Sequence, residues 1–315
     1  VHPAFSVIVF TVASGAGYGL LALIGLLFAL GQLPSHRGFG FCALALGALL
    51  VTGGLLSSTA HLGRPERAWR AITQVRTSWL SREGAAALVA YLPLAALGLG
   101  WIVLARGDGP VVLAALALAL AALACVHCTG MIYRSLKPVH QWCNPHVVPV
   151  YHVLALMTGA TLLNALLHAW GDPSRLVGVL AIAAAGSGAV LKRRYWRFVD
   201  SSPAASTPGT ATGLVGAGPV RLLEPPHTGS NYLMREMGFK VARKHAAKLR
   251  RLALGAGFAA PLALLLAALV LPGPAATAAA ILAALSAIAG VLAERWLFFA
   301  EAKHTVTLYY GADAA

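Results

Sequence analysis

VVLAALALALAALACVHCTGMIY, residues Val111 to Tyr133, decides the fold. The run contains no Asp, Glu, Lys or Arg. It is longer than the roughly 20 residues a helix needs to cross a bilayer. Seven more apolar runs flank it, at about Phe5–Leu30, Phe39–Thr59, Gly84–Ala105, Val147–Trp170, Arg175–Leu191, Leu252–Leu271 and Ala275–Phe299. Turn signals separate several of them: Arg106-Gly107-Asp108-Gly109-Pro110, Gly171-Asp172-Pro173 and Pro272-Gly273-Pro274. The whole chain agrees: of 315 residues 58% are hydrophobic and 11% charged, and mean hydropathy is +0.74. A soluble domain carries about 25% charged residues, and a disordered one needs low hydrophobicity. Both classes are excluded. The abundance of Ala and Leu, with few alternating stretches, argues against an outer-membrane barrel. The reading is an all-α integral membrane protein of eight transmembrane helices, one membrane domain over residues 1–315. No internal repeat is visible. The first run lacks a basic leader and continues too far for a cleavable signal peptide.

Between the sixth and seventh spans lies a long insertion, Lys192 to Arg251. Its middle, SSPAASTPGTATGLVGAGP, reads as a flexible loop. Its end, NYLMREMGFKVARKHAAKLRRL, places Met234, Met237 and Val241 near one face among many cations. That pattern suits a basic amphipathic helix lying on the membrane surface or under a partner. Formal net charge is +14. No soluble domain exists to present a groove-binding element, so nucleic acid is set aside. The cations are instead distributed by side. Five arginines after the second span, two cations after the fourth, twelve in the insertion and two at the C-terminal end put 21 of the 24 Lys and Arg on one side. Arg37, Arg106 and Arg175 occupy the other. The positive-inside rule makes the cation-rich side cytoplasmic, with both termini and the long loop there.

The densest polar stretch is SSTAHLGRPERAWRAITQVRTSWLSREG, Ser57 to Gly84. His61 and Arg64 are three residues apart, so on a helical turn they share a face. Trp69 and Trp79 fit an interfacial belt. Glu83 falls at the mouth of the third span, a first-turn position that suits an anion. A His and a carboxylate at the lipid–water boundary can exchange protons with a quinone, and Arg64 or Arg82 can bind a quinone carbonyl or tune its neighbours. Chemistry alone leaves open a second reading, a cytoplasmic loop held by Arg–Glu pairs and lipid phosphates.

Elsewhere, Ser14, Gly17 and Gly19 allow close helix approach on the first span, or open room for a quinone ring. Glu294 and Arg295, inside the eighth span, should be paired or pocket-lining. Tyr133, Arg134, Trp142, Asn144 and His146 crowd the loop after the fourth span, as a pocket wall, a docking face or loop structure. Cys125 and Cys128 form a C-x-x-C within an apolar helix and lack a second ligand pair, so helix packing is the reading and no metal site is expected. His127 and His152 fall at similar depths, which leaves a bis-His haem geometrically open. His152, Asn164 and His168 suggest a transport path, but no span pairs carboxylates at mid-depth.

Three segments together, HPAFSVIVFTVASGAGYGL, the Ser57–Gly84 stretch and ERWLFFAEAKHTVTLYYG, resemble the membrane anchor subunit of dimethyl sulfoxide reductase-type molybdoenzymes. The likeness covers nearly the whole chain, and HLG-P--RA followed by S-E is its most specific part. It implies an anchor without haem that exchanges electrons between membrane quinone (ubiquinone or menaquinone) and an iron–sulfur partner subunit. That partner is wired to a molybdopterin catalytic subunit, so the iron–sulfur clusters and molybdopterin belong to partners. By motif position the family's functional His and Glu fall on His61 and Glu83. The expected quinone site is then His61, Arg64, Trp79, Arg82, Glu83, Arg295, Ser14 and Gly17, with His61 and Glu83 carrying protons. The expected docking face is Arg67, Arg76, Arg134, Trp142, His146, Arg235 and Lys240. LLEPPHTGSNYLMREMGFKVARKHAAKLR looks like the sulfite-oxidising, cytoplasm-facing branch of the family, an insertion that the best-known dimethyl sulfoxide reductase anchors lack. The expectation is a bacterial inner-membrane protein with its partners on the cytoplasmic side, passing electrons from sulfite to quinone. The alternatives are a quinol-oxidising reductase anchor and a haem b anchor.

Overall fold

The computed structural model describes residues 4–59, 64–203, 206–216, 218–224, 226–227, 229 and 245–315. Eight helices among them are long and apolar enough to cross a membrane: α1 (Phe5–Ala29), α2 (Arg37–Thr59), α3 (Trp79–Val103), α4 (Pro110–Arg134), α5 (Val147–Trp170), α6 (Arg175–Ser201), α7 (Ala246–Val270) and α8 (Gly273–Ala300). The described residues form no strands, only one isolated bridge between Val139 and His304. This is the eight-span helical membrane architecture.

Local chemistry sets the ends. Ser78 caps α3 by accepting the Ser81 N–H at 3.4 Å, and Ser174 caps α6 by accepting that of Val177 at 3.4 Å. Pro110 opens α4, where its missing N–H costs nothing. Gly171 closes α5 in the left-handed region at φ 81°. Inside α7 a π-turn at Gly255–Ala259 precedes Pro261, where the ring would otherwise meet the preceding turn.

Three boundaries differ from those read in the sequence, each because a polar residue sits inside a helix. α3 begins at Trp79 instead of Gly84, so Glu83 is one turn inside the span and not at its mouth. α6 runs on through Lys192-Arg193-Arg194 to Ser201, so the connection to α7 starts about ten residues later than the composition suggests. From Ala246 onward the expected surface helix is already α7. The remainder of that helix lies outside the described residues.

The α1 and α5 helices lie at the centre and are the most enclosed spans. α2 and α4 flank α1, α3 covers α4, and α6, α7 and α8 pack on the α5 side. Lipid supplies no hydrophobic drive between helices, so close backbone approach carries the packing. At the α1–α5 crossing a Cβ on Gly19 would stand 1.8 Å from the Ala155 carbonyl oxygen. At the α7–α8 crossing a Cβ on Gly290 would stand 2.1 Å from Gly257 Cα. Gly17 belongs to the same class: its Cβ would meet Val51 and the Gly47 carbonyl of α2 at 2.8 and 2.9 Å. It packs α1 on α2 and opens no pocket.

Candidate functional site

The site grows from one end of the bundle. There the α4–α5 loop is laced to the end of α8. Trp142 Nε1 donates to the Phe298 carbonyl at 2.9 Å, Lys303 N to Gln141 Oε1 at 3.0 Å, Thr305 N to the Pro138 carbonyl at 2.9 Å, and Tyr195 Oη to the Gln141 carbonyl at 3.1 Å. Beneath this lacing lies an aromatic block. Tyr133 stacks on Tyr151 at 5.6 Å and meets Trp142, Phe298 and Phe299 edge-on. Trp142 is therefore buried as the anchor of its loop and does not face a partner, which corrects its expected docking role.

Two groups of buried charge adjoin the block. Glu83, 5% exposed, accepts a hydrogen bond from the Thr129 hydroxyl of α4, which also donates to its own Cys125 carbonyl at 3.0 Å. Across the bundle Arg295 grips its neighbour Glu294 with Nε on one carboxylate oxygen and Nη2 on the other at 2.9 Å. Lys192 of α6 pairs with the same carboxylate and sits 3.8 Å over the Tyr195 ring. The Arg295 guanidinium lies 4.2 Å over the Tyr151 ring. Cation–π contact helps hold charge in such an apolar setting.

A cavity of about 20 Å³ is bounded by Ser14, Tyr18, Thr129, Tyr151, Thr158 and Arg295, and so touches the hydrogen-bond partners of Glu83 and Glu294. It has room for a water molecule but not for a quinone ring. Among the described residues the Tyr18 and Tyr151 hydroxyls and Arg295 Nη1 make no well-formed hydrogen bond. Ser14 Oγ instead donates to its own Phe10 carbonyl at 2.6 Å.

On the outer face a row of rings crosses three spans. The Arg82 guanidinium lies 4.3 Å over Trp79, whose ring meets His127 at 5.9 Å, and His127 meets His152 at 5.7 Å. His152 Nδ1 is 3.0 Å from its own Val148 carbonyl. Arg82 is occupied by loop carbonyls, with Nε donating to Val75 and Nη2 to Arg76, both at 2.8 Å. It holds the Pro65–Ile72 helical turn and its sequel against α3, as does Ser81 Oγ through the Ala71 carbonyl. Arg64, Arg67, Arg76 and Arg134 are exposed at this end, and Arg67 reaches Glu66 at 4.0 Å. The His146 ring rests against Phe198 at 5.6 Å. His61, Arg235 and Lys240 lie outside the described residues.

The structure thus brings Glu83, Ser14 and Arg295 around one polar core, groups Trp79 with Arg82, and sets Gly17 and Trp142 apart as packing residues. Pairing of Glu294 with Arg295 is as the sequence suggested. Thr129, Tyr18, Tyr151 and Lys192 join the core without having been expected there. Lys192 heads a run of three cations that reads as the start of a loop, and only its partner Glu294 on another helix marks it as an interior residue. No three His, Cys, Asp or Glu side chains converge as metal ligands among the described residues. All four cysteines are free, with Cys125 and Cys128 buried.

Similarity to known proteins extends along the whole chain. The profile of the DMSO reductase anchor subunit (DmsC) matches residues 1–202. The chain is 34% identical to a sulfite dehydrogenase subunit of Allochromatium vinosum, over 99% of this chain and 100% of that protein. It is 30% identical to the anaerobic dimethyl sulfoxide reductase chain YnfH of Escherichia coli, over 49% of this chain and 56% of that one.

Proposed function

The chain belongs to the DMSO reductase anchor subunit (DmsC) family, and from that membership we propose that it exchanges electrons between membrane quinone and an iron–sulfur partner subunit, with Glu83 as the proton carrier. It is a membrane subunit of a sulfite dehydrogenase or DMSO reductase-type oxidoreductase complex. Such an anchor works with an iron–sulfur subunit and a molybdopterin catalytic subunit. The observation that carries the quinone reading is Glu83, a carboxyl buried inside a membrane span and hydrogen-bonded to Thr129. A buried intramembrane carboxyl is costly and is kept for a pathway or a site.

Quinone reduction takes two electrons, supplied by the iron–sulfur partner, and two protons. Glu83 gives one proton to a quinone oxygen and takes another from the interior behind it. The cavity behind Glu83 is water-sized, so the quinone head sits on the membrane-facing side, against Trp79, His127 and His152. His61, in the same connection as Arg64, supplies the second proton exchange. Ser14 and Arg295 act behind Glu83 and not on the ring. Arg67, Arg76, Arg134, His146, Arg235 and Lys240 form the docking side for the partners. The positive-inside count supports a cytoplasmic position for that side, and for both termini, in a bacterial inner membrane.

The direction proposed is sulfite to quinone. It is favoured by the end-to-end similarity to a sulfite dehydrogenase subunit, against the half-length similarity to a dimethyl sulfoxide reductase chain. The test is purification of the complex in mild detergent and assay of sulfite-dependent quinone reduction. Activity with copurified molybdenum and iron–sulfur subunits is expected. Quinol-dependent reduction of dimethyl sulfoxide in its place would keep the anchor role and reverse the direction. His61→Ala should abolish quinone-linked turnover and spare dye-linked turnover of the catalytic partners; equal loss of both would defeat the site.

A further inference from the structure

Four charged side chains are buried among the described residues: Glu83 on α3, Lys192 on α6, and Glu294 and Arg295 on α8. Two are cations and two are anions, so the fully ionised interior is neutral. They are not paired evenly. Lys192, Glu294 and Arg295 form one cluster with a surplus positive charge; the balancing carboxylate, Glu83, is bonded to Thr129, which lines the same cavity as Arg295. Tyr18, Tyr151, Arg295 and Thr129 line that cavity; the two tyrosine hydroxyls and Arg295 Nη1 are buried without a well-formed hydrogen bond among the described residues, and the Thr129 hydroxyl donates to Glu83. A buried water needs roughly two to four polar partners and about this much space.

We propose that this cavity holds a water between Thr129, which is bonded to Glu83, and Arg295, which is bonded to Glu294, and that Lys192 is the buried proton donor that recharges Glu83. The proposal rests on the quinone reading of Glu83. Lys192 is the group able to do this. Arg295 keeps its proton under all conditions, and Glu294 is held as a carboxylate by two cations. Loss of a proton from Lys192 leaves a neutral Arg295–Glu294 pair. Passing that proton to Glu83 therefore converts one neutral interior into another, which a medium of low dielectric favours over any step that leaves net charge.

The steps balance. An N–H bond breaks at Lys192 Nζ as an O–H bond forms in passing on Glu294; that O–H bond breaks to return Glu294 to a carboxylate as the proton moves through the water, and an O–H bond forms on Glu83. Glu83 then gives its proton to a quinone oxygen as the iron–sulfur partner supplies electrons. The interior is left one charge negative, which draws a proton from the aqueous side back to Lys192. The inlet is Glu301, seven residues beyond Glu294 and so two turns along the same face of the helix, about 10 Å away. Glu301 accepts from Arg250 Nε at 2.8 Å, and Arg250 holds Asp200 at 2.7 and 3.0 Å. Burial pushes the Glu301 carboxyl above the usual carboxylate range, against the pull of Arg250.

The test uses the whole complex in lipid nanodiscs, with sulfite as donor and decylubiquinone as acceptor. Lys192→Met leaves the Arg295–Glu294 pair neutral and intact. It should lower kcat on the order of 100-fold with KM for decylubiquinone unchanged, raise the solvent deuterium isotope effect, and regain rate with added methylammonium. Tyr151→Phe keeps every charge and removes one partner of the water. It should lower kcat several-fold with the same isotope signature, and it decides the matter if Lys192→Met does not assemble. Unchanged kcat in an assembled Lys192→Met complex overturns the relay while leaving the quinone site standing. A parallel loss of kcat and quinone affinity, without isotope effect or rescue, makes the residue structural and also overturns it. Absence of quinone turnover in the unmodified complex overturns the quinone reading, and the relay with it.

Discussion

Thr129→Val removes one hydroxyl and keeps the β-branched shape, so it isolates the one hydrogen bond that the Glu83 carboxyl receives among the described residues. A hydrogen bond to a charged group is worth about 1.5–3 kcal/mol. If Glu83 becomes ionised as it gives its proton to the quinone, loss of the bond that holds the carboxylate should slow quinone-linked turnover about 10- to 160-fold, at 1.36 kcal/mol per factor of ten. The helix itself should not suffer. Thr129 also donates back to Cys125, a local bond that does not strengthen a helix, so melting of the detergent-purified complex should barely move. The assay is decylubiquinone reduction normalised to dye-linked turnover, in a double-mutant cycle with Glu83→Gln. Thr129→Val should add little in the Glu83→Gln background, because the two side chains act as one unit. Full additivity, or wild-type turnover in Thr129→Val, would refute the assignment of Thr129 as the residue that positions Glu83.

Gly290→Ala puts a methyl 2.1 Å from Gly257 Cα, so α7 and α8 must part by more than an ångström; overpacking of this kind should cost about 1–3 kcal/mol, and an unchanged melting temperature would dismiss the close crossing. Trp142→Phe keeps the stack on Phe298 but removes the indole's donation to that residue's carbonyl, a loss of about 0.5–1.5 kcal/mol, visible as faster hydrogen exchange across residues 138–146 and 303–305. His304 accepts the Val306 N–H at Nδ1 and so caps the Thr305–Tyr310 turn in its unprotonated form. Burial lowers its pKa. The unfolded segment then takes up a proton first as pH falls below about 6.5, so the cap is fully present above that value and weakens below it. Hydrogen exchange of residues 305–312, corrected for intrinsic rates, should quicken between pH 7.5 and 5.5; equal protection at both would remove His304 from the cap.

The eight spans were legible because each is an apolar run longer than a bilayer needs, and that signal depends on neither neighbours nor register. Boundaries failed where a span carries charge. Glu83 and Lys192 both read as loop residues on hydropathy, and both turn out to be helical and buried, because partners on other helices receive them. Arg295 and Glu294 were legible as a pair, being adjacent in an otherwise apolar run. Thr129, Tyr18 and Tyr151 were not, since a hydroxyl in an apolar helix satisfies its own backbone as readily as it serves a site. Trp142 and Gly17 each left a packing and a site reading open in the sequence, and tertiary contacts give the packing use of each.

Buried charge also bears on the orientation argument, which counts every Lys and Arg as belonging to a loop. Lys192 and Arg295 do not belong there; both are enclosed by the protein and paired with the one carboxylate of Glu294. With those two withdrawn from the 21 cations, nineteen remain against three, and the bias rests on side chains such as Arg64, Arg67, Arg76 and Arg134 that are exposed at the bundle end. That is also the end where α8 meets the α4–α5 loop and where Glu301 opens the inlet toward Lys192. If the proposed relay and docking face both hold, the side of the membrane that supplies protons to Glu83 and the side that receives the iron–sulfur partner are the same side. Quinone reduction here would take its electrons and its protons from one compartment, and proteoliposomes with a trapped pH dye should report proton uptake only on the face that binds the catalytic partners. Uptake on the opposite face would break the link between the inlet and the docking side.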